Sequence, residues 1–113
     1  MMNRDICRVL RRCGVPPEVL GYRYIAYAIE LINTNDEYLW RITKMLYPAV
    51  AEKFNTTWSR VERNMRHAIE HAFNSMPAAV LEEVFGNTVD ATTGKVTVSR
   101  FLAAVSEYTQ YQI

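Results

Sequence analysis

The sequence lacks the features that mark membrane-spanning, secreted and disulfide-bonded proteins. No apolar run in its 113 residues approaches the roughly 18 that a membrane span needs. Residues 1–12 hold four arginines and no apolar stretch typical of a signal peptide. The two cysteines, Cys7 and Cys13, are six residues apart, a spacing that suggests neither a local disulfide nor a zinc knuckle. We therefore expect a cytoplasmic protein with reduced thiols and no membrane partner.

The chain also lacks a strong net charge. Its 13 Lys and Arg nearly balance 12 Asp and Glu, so the overall charge of +1 indicates neither a nucleic acid nor a membrane surface. The charges are unevenly distributed, however. Residues 41–66 carry six basic and two acidic side chains, a net charge of +4, whereas residues 67–113 carry two basic and five acidic ones, a net charge of −3. An anionic partner is therefore expected at the middle third of the chain.

Glycine and proline are scarce, at four each, and they fall where helices are expected to begin or end. Gly14 and Gly86 each follow an apolar stripe of helical spacing, and Pro48 and Pro77 are expected in the first turns of new helices. Residues 87–96 are rich in turn formers. The sequence thus predicts one all-α domain of five to seven helices, the last capped by Thr97 or Ser99.

Apolar residues recur at helical spacing in the other segments and define the expected core. The expected inward positions include Ile6, Val9, Leu10 and Cys13; Leu20, Tyr24, Ala28, Leu31 and Ile32; Leu39, Ile42 and Leu46 on one helix from 37 to 46; Val50, Ala51 and Phe54; and Phe101, Leu102, Val105 and Tyr108.

The segment 48–74 is a short helix, a polar turn and a longer amphipathic helix, which is the outline of a helix-turn-helix. On the longer helix the expected inward positions are Val61, Met65, Ala68, Ile69 and Ala72, and the outward ones are Arg60, Arg63, Asn64, His67, Glu70 and His71, with Glu62 and Arg66 towards one flank. Arginines three residues apart repel each other, and a phosphate-rich partner would turn that repulsion into attraction.

These residue types suit the reading of a DNA duplex. Arginine can donate two hydrogen bonds to guanine, and glutamate can accept one from the cytosine amino group. Thr56, Thr57 and Ser59, at the start of the longer helix, can bind a phosphate oxygen together with free backbone N–H groups. The pattern favours double-stranded DNA binding. The alternative is that the charged stripe is only the solvated face of a small helical protein–protein interaction module.

A second motif in the same helix is typical of zinc enzymes. His67-Ala68-Ile69-Glu70-His71 has the order of inverted zinc peptidases, and two histidines four residues apart on a helix can hold zinc. A peptidase would also need a third ligand, a substrate cleft and a longer chain. We therefore expect neither a catalytic residue nor a metal or other cofactor.

Several strings in the sequence belong together as one family pattern. They are Ile42-Thr43-Lys44-Met45-Leu46-Tyr47-Pro48, Ala51-Glu52-Lys53-Phe54-Asn55-Thr56-Thr57, Ser59-Arg60-Val61-Glu62-Arg63 and Arg66-His67-Ala68-Ile69-Glu70. Together they closely resemble the DNA-binding effector domain of the stage-zero sporulation regulator of spore-forming Firmicutes. Gly14-Val15-Pro16, Gly21-Tyr22-Arg23-Tyr24 and Phe85-Gly86 extend the resemblance over nearly the whole chain.

This resemblance implies a compact six-helix bundle with one helix-turn-helix at about 48–74 and a recognition helix at about 58–74. It implies binding to short DNA boxes, often in tandem, and regulation of transcription. By position, the residues that read bases would be Arg60, Glu62 and Arg63, and those that contact the DNA backbone would be Lys53, Asn55, Thr56, Thr57, Ser59, Arg66 and His67.

The resemblance also implies protein partners. The segment at about 75–88 resembles a surface that touches the RNA polymerase sigma subunit, and the C-terminal helix resembles a dimer contact. Family members normally carry an N-terminal receiver domain, for which 113 residues leave no room. The chain is thus expected to be either part of a longer protein or a stand-alone relative, which can act as a DNA-binding competitor without activating function. Trp58 stands where a small residue is expected, and we expect it to be partly buried, packed either on the DNA or into the core.

Overall fold

The computed structural model describes residues 3–86 and 96–111, and it contains no strand in these ranges. The predicted all-α fold is confirmed. The described helices are α1 (Arg4–Arg12), α2 (Leu20–Thr34), α3 (Glu37–Trp40), α4 (Tyr47–Lys53), α5 (Trp58–Ser75), α6 (Ala78–Val80) and α7 (Val98–Tyr111), with a first π-helical segment at Ile42–Leu46 and a second at Leu81–Phe85. None of these helices is long and apolar enough to cross a bilayer.

The expected number of six helices is wrong, because the described residues form seven α-helices. The single helix expected from residue 37 to 46 is broken at Arg41, whose φ of −129° and ψ of 55° lie outside the helical region. The π-helical turn that follows leads directly into α4, which has Pro48 in its first turn, as expected. The helix expected after Pro77 is present but passes from α-helical to π-helical at Leu81.

Helix α1 ends as its glycine predicted. Gly14 has a φ of +90°, the left-handed conformation that glycine adopts without steric cost. The Val15 N–H donates to the Leu10 carbonyl at 3.0 Å, and the Gly14 N–H donates to the Arg11 carbonyl at 3.0 Å. These two bonds form a Schellman motif, which satisfies carbonyls left free at the end of the helix.

The core lies between α1, α2, α5 and α7, and most of the positions expected to face inward are buried. The buried ones include Ile6, Val9, Leu10, Cys13, Tyr24, Ala28, Ile32, Val61, Met65, Ala68, Ile69, Ala72, Phe101, Leu102 and Val105. Leu20 is an exception, since 55% of it is exposed. Leu20 is the first residue of α2. Periodicity predicts which face of a helix is apolar, but it does not show where along that face the neighbouring helices end.

Helix α2 crosses α5 at a distance that only glycine permits. A Cβ atom at Gly21 would lie 2.3 Å from the Asn64 carbonyl oxygen and 2.7 Å from the Ala68 Cβ. The backbones of the two helices are therefore in direct contact. This crossing fixes the position of α5 on the bundle and leaves the opposite face of α5 in solvent.

Helix α7 begins after the expected cap. The Thr97 hydroxyl accepts a hydrogen bond from the Arg100 N–H at 3.2 Å. Phe101, near the start of this helix, packs against Phe85 and Phe73 with ring centroids 5.4 and 6.2 Å apart. These rings join α7 to the second π-helical segment and to the end of α5. Of the turn-rich stretch expected at 87–96, all but Val96 lies outside the described residues.

Candidate nucleic-acid interface

The turn between α4 and α5 is a second Schellman motif, with asparagine in the position usually held by glycine. Asn55 has a φ of +54°. The Thr56 N–H donates to the Ala51 carbonyl at 2.9 Å, and the Asn55 N–H donates to the Glu52 carbonyl at 3.3 Å. Asparagine tolerates the left-handed conformation better than other residues with a Cβ. Asn55 therefore sets the angle between the two helices, a role that the sequence analysis missed.

Two substitutions separate this conformational role from any contact made by the amide. Asn55→Gly keeps the left-handed turn, whereas Asn55→Ala places an ordinary Cβ in a conformation that costs roughly 1–2 kcal/mol. We expect urea denaturation to find Asn55→Ala less stable than Asn55→Gly by about 1 kcal/mol. Equal stability of the two variants would contradict the role of Asn55 in the turn.

Helix α5 begins at a threonine cap. The Thr57 hydroxyl accepts a hydrogen bond from the Arg60 N–H at 3.3 Å and lies 3.3 Å from the Ser59 hydroxyl. Thr57 is thus engaged at the helix end, and both Thr57 and Ser59 are exposed. The first N–H groups of any helix lack partners within it, and they give this end a partial positive charge. The N–H groups at the start of this 18-residue helix can therefore donate to a phosphate oxygen.

The outer face of α5 presents two arginines. Arg60, Arg63 and His67 are exposed, while Val61 and Met65 on the opposite face are fully buried. In the part of the chain that the structure describes, neither Arg60 nor Arg63 forms an ion pair with a carboxylate. Their guanidinium groups retain their donors for an outside partner. Asn64 is turned away from that role, because its amide donates to the Arg60 carbonyl at 2.8 Å.

Glu62 and Arg66 form a pair on the flank of the same helix. The Arg66 Nε donates to a Glu62 carboxylate oxygen at 3.0 Å, and this hydrogen bond raises the pKa of Arg66. The buried Tyr47 of α4 interacts electrostatically with both charges. Burial raises the pKa of Tyr47 to about 12, and the negative charge of Glu62 also raises it. Glu62 and Arg66 were assigned separate roles from the sequence. The structure pairs them, which reduces the repulsion expected between Arg66 and Arg63.

Lys53, at the end of α4, is held by an aromatic ring of α2. Its ammonium lies 5.6 Å from the centroid of the Tyr27 ring, a cation–π contact. Tyr27 in turn packs edge-on against Phe54, with centroids 5.9 Å apart. The lysine therefore stays close to the turn. Sequence reasoning missed Tyr27, since nothing local shows that it reaches a residue 26 positions away.

The comparison with known families covers most of these elements. Residues 6–109 match the family described as the sporulation initiation factor Spo0A C-terminal domain. The chain belongs to this family. The family is that of the DNA-binding effector domain of a sporulation response regulator, and its domains bind DNA and regulate transcription. It is not a family of known enzymes.

Within the effector domain, the two histidines of the zinc-like motif stand apart from other ligands. His67 and His71 are both exposed on α5. The described residues contain no group of three or more His, Cys, Asp or Glu side chains placed to hold a metal ion.

The segment after α5 is tied to both ends of the effector domain. Arg12 of α1 donates to both oxygens of Glu83 at 2.8 and 3.3 Å, and the Tyr108 hydroxyl of α7 donates to the same carboxylate. These hydrogen bonds, with Arg12 as the larger cause, hold the pKa of Glu83 below its usual range. Glu82 beside it is exposed. Of the segment expected to contact a sigma subunit, residues 87 and 88 lie outside the described range.

Proposed function

We propose that this effector domain binds double-stranded DNA in a sequence-specific manner as a transcription regulator in the cytoplasm. In this proposal α4 and α5 form a helix-turn-helix, and α5 is the recognition helix that lies in the major groove. One observation carries the proposal. The exposed face of the first two turns of α5 presents Arg60 and Arg63, whose guanidinium groups are without carboxylate partners among the described residues.

The proposed contacts divide into two classes. Arg60 and Arg63 donate to base edges in the groove. Glu62 has two carboxylate oxygens, so it can hold Arg66 and still accept from a cytosine amino group. The proposed backbone contacts are Lys53, Asn55, Thr56, Thr57, Ser59, Arg66 and His67. They surround the start of α5, where the helix dipole favours phosphate.

A titration with labelled duplex tests this function. Duplexes that bind are first selected from a random pool, and their affinity is then measured by fluorescence anisotropy at several salt concentrations. We expect saturable binding that weakens steeply with salt, because cationic contacts release counterions from the duplex. A scrambled duplex of the same length is the control. Equal affinity for both duplexes would contradict specificity, and the absence of saturable binding would favour the protein-interaction alternative.

Arg66→Ala should weaken binding to the selected and scrambled duplexes by the same factor. It should also reduce the salt slope by roughly one unit, because one phosphate contact is lost. Arg8→Ala is the matched control, since Arg8 is an exposed arginine on α1 that also has a carboxylate partner, Asp5, at 3.7 Å. An unchanged salt slope for Arg66→Ala would exclude this residue from the backbone contacts.

Two protein contacts are further parts of the proposal. The segment 75–86 offers Glu82 and the exposed Ala78 and Ala79 to an RNA polymerase sigma subunit, while Glu83 is engaged by Arg12. Helix α7 offers its exposed residues, among them Glu107 and Tyr111, to a second copy on tandem DNA boxes. Sedimentation with and without a two-box duplex tests the second contact. A complex that contains only one copy of the domain on the two-box duplex would contradict it.

A further inference from the structure

Helix α5 begins with a tryptophan that the bundle leaves in solvent. Trp58 is 54% exposed, so it is not inserted into the core. By helical spacing it lies three residues before Val61, which is fully buried. Trp58 is exposed although Val61 is buried, because Trp58 is the first residue of α5 and lies past the end of the core. Its placement, rather than its exposure alone, is the informative feature, since single exposed apolar residues are common.

Trp58 stands on the same row of α5 as Glu62 and Arg66, each member following the previous one by four positions. Helical side chains lean towards the N-terminus of their helix, so the indole covers the surface ahead of the first turn. If α5 is a recognition helix, that surface is the one presented to the groove, because N-terminal residues of such a helix contact base edges. The indole then lies beside the base that Glu62, its neighbour four positions on, would reach.

We propose that Trp58 is a further DNA-contacting residue and that it packs against the 5-methyl group of a thymine. This inference rests on the proposed function and deepens it. The indole offers mainly apolar surface, and the apolar group in the major groove is the thymine methyl. Trp58 therefore adds thymine selectivity to arginines that select guanine.

The test compares Trp58→Ala with Trp40→Ala on the selected duplex and on copies in which single thymines are replaced by deoxyuridine. Trp40 is the matched control, since it is the second tryptophan of the chain and is 77% exposed at the end of α3. For the wild type, one deoxyuridine should weaken binding about fourfold, the effect of one buried methyl group. Trp58→Ala should lose about tenfold on the thymine duplex and become insensitive to that deoxyuridine. Trp40→Ala should bind both duplexes as the wild type does.

Intrinsic fluorescence gives a second readout. Trp40→Phe leaves Trp58 as the fluorophore, and its emission should change on duplex addition with the midpoint found by anisotropy. Trp58→Phe leaves Trp40, whose emission should stay constant. Circular dichroism of Trp58→Ala verifies that the helices are retained.

The outcomes separate this contact from the function on which it rests. Wild-type affinity in a folded Trp58→Ala variant would overturn the contact while leaving DNA binding intact. An equal loss on thymine and deoxyuridine duplexes would place the indole on the backbone and overturn the thymine assignment. Absence of duplex binding by the wild type would overturn the proposed function and this contact with it.

Discussion

Replacing Arg63 with alanine should weaken binding to the selected duplex by about 1–3 kcal/mol and relax the choice of base at one position. Arg63 lies at the centre of the outer face of α5, opposite the buried Val61 and Met65. In the described part of the chain its guanidinium has no carboxylate partner, so two of its N–H groups are available to donate to a guanine. Arg60→Ala should behave in the same way at a neighbouring base pair. Anisotropy on duplexes mutated one base pair at a time measures both effects.

Arg63→Lys is the informative companion variant. Lysine keeps the positive charge but cannot reproduce the planar double donor, so the salt slope should persist while base discrimination falls. Arg8→Ala on α1 again controls for a general loss of charge. If the alanine variants lost the same affinity on selected and scrambled duplexes, Arg60 and Arg63 would be phosphate contacts, and base reading would have to be assigned elsewhere.

Replacing Gly21 with alanine should destabilise the domain by about 1–3 kcal/mol or more, the usual cost of an overpacked core. The added methyl group would stand 2.3 Å from the Asn64 carbonyl oxygen, which belongs to the backbone of α5 and cannot rotate away. Helix α5 would have to move away from α2. We therefore expect both a lower midpoint in urea and weaker DNA binding.

Arg23→Ala is the matched control, because Arg23 lies on the same helix and is exposed. It should leave stability almost unchanged. The double variant Gly21→Ala, Ala68→Gly removes the second close contact, 2.7 Å to the Ala68 Cβ, but keeps the contact with the carbonyl oxygen. Its rescue should therefore be partial. A Gly21→Ala variant as stable as Arg23→Ala would show that the two helices can separate at little cost.

The sequence was informative wherever the cause lies within a few residues. The buried faces of α1, α5 and α7 follow from apolar spacing, because a residue and its neighbours three and four positions away share a helix face. Gly14 and Pro48 mark their helix boundaries through their own backbone preferences. The family was also recognised from contiguous strings, since the residues proposed to contact DNA are concentrated in one stretch of chain.

The spacing of residues in the sequence was less informative where burial or backbone conformation is not set by the pattern of neighbouring residues. The exposure of Leu20 depends on where the neighbouring helices end, and the break at Arg41 became visible only from its backbone angles. The left-handed Asn55 was seen as a candidate contact, whereas its place in the turn became visible only from its backbone angle. The Glu62–Arg66 pair follows the rule that side chains four positions apart on a helix are neighbours. That rule allows several pairings on α5, and only the structure shows which one forms.

By itself, the sequence determined the helical class, the boundaries of the main helices, the family and the set of exposed cations on α5. Only the tertiary structure decided that Gly21 brings α2 into contact with α5, that Tyr27 holds Lys53, and that Arg12 and Tyr108 engage Glu83. The reason is the separation along the chain. Helix formation is governed by interactions over a few residues, whereas these contacts join residues from 25 to 71 positions apart and form only when the whole bundle packs.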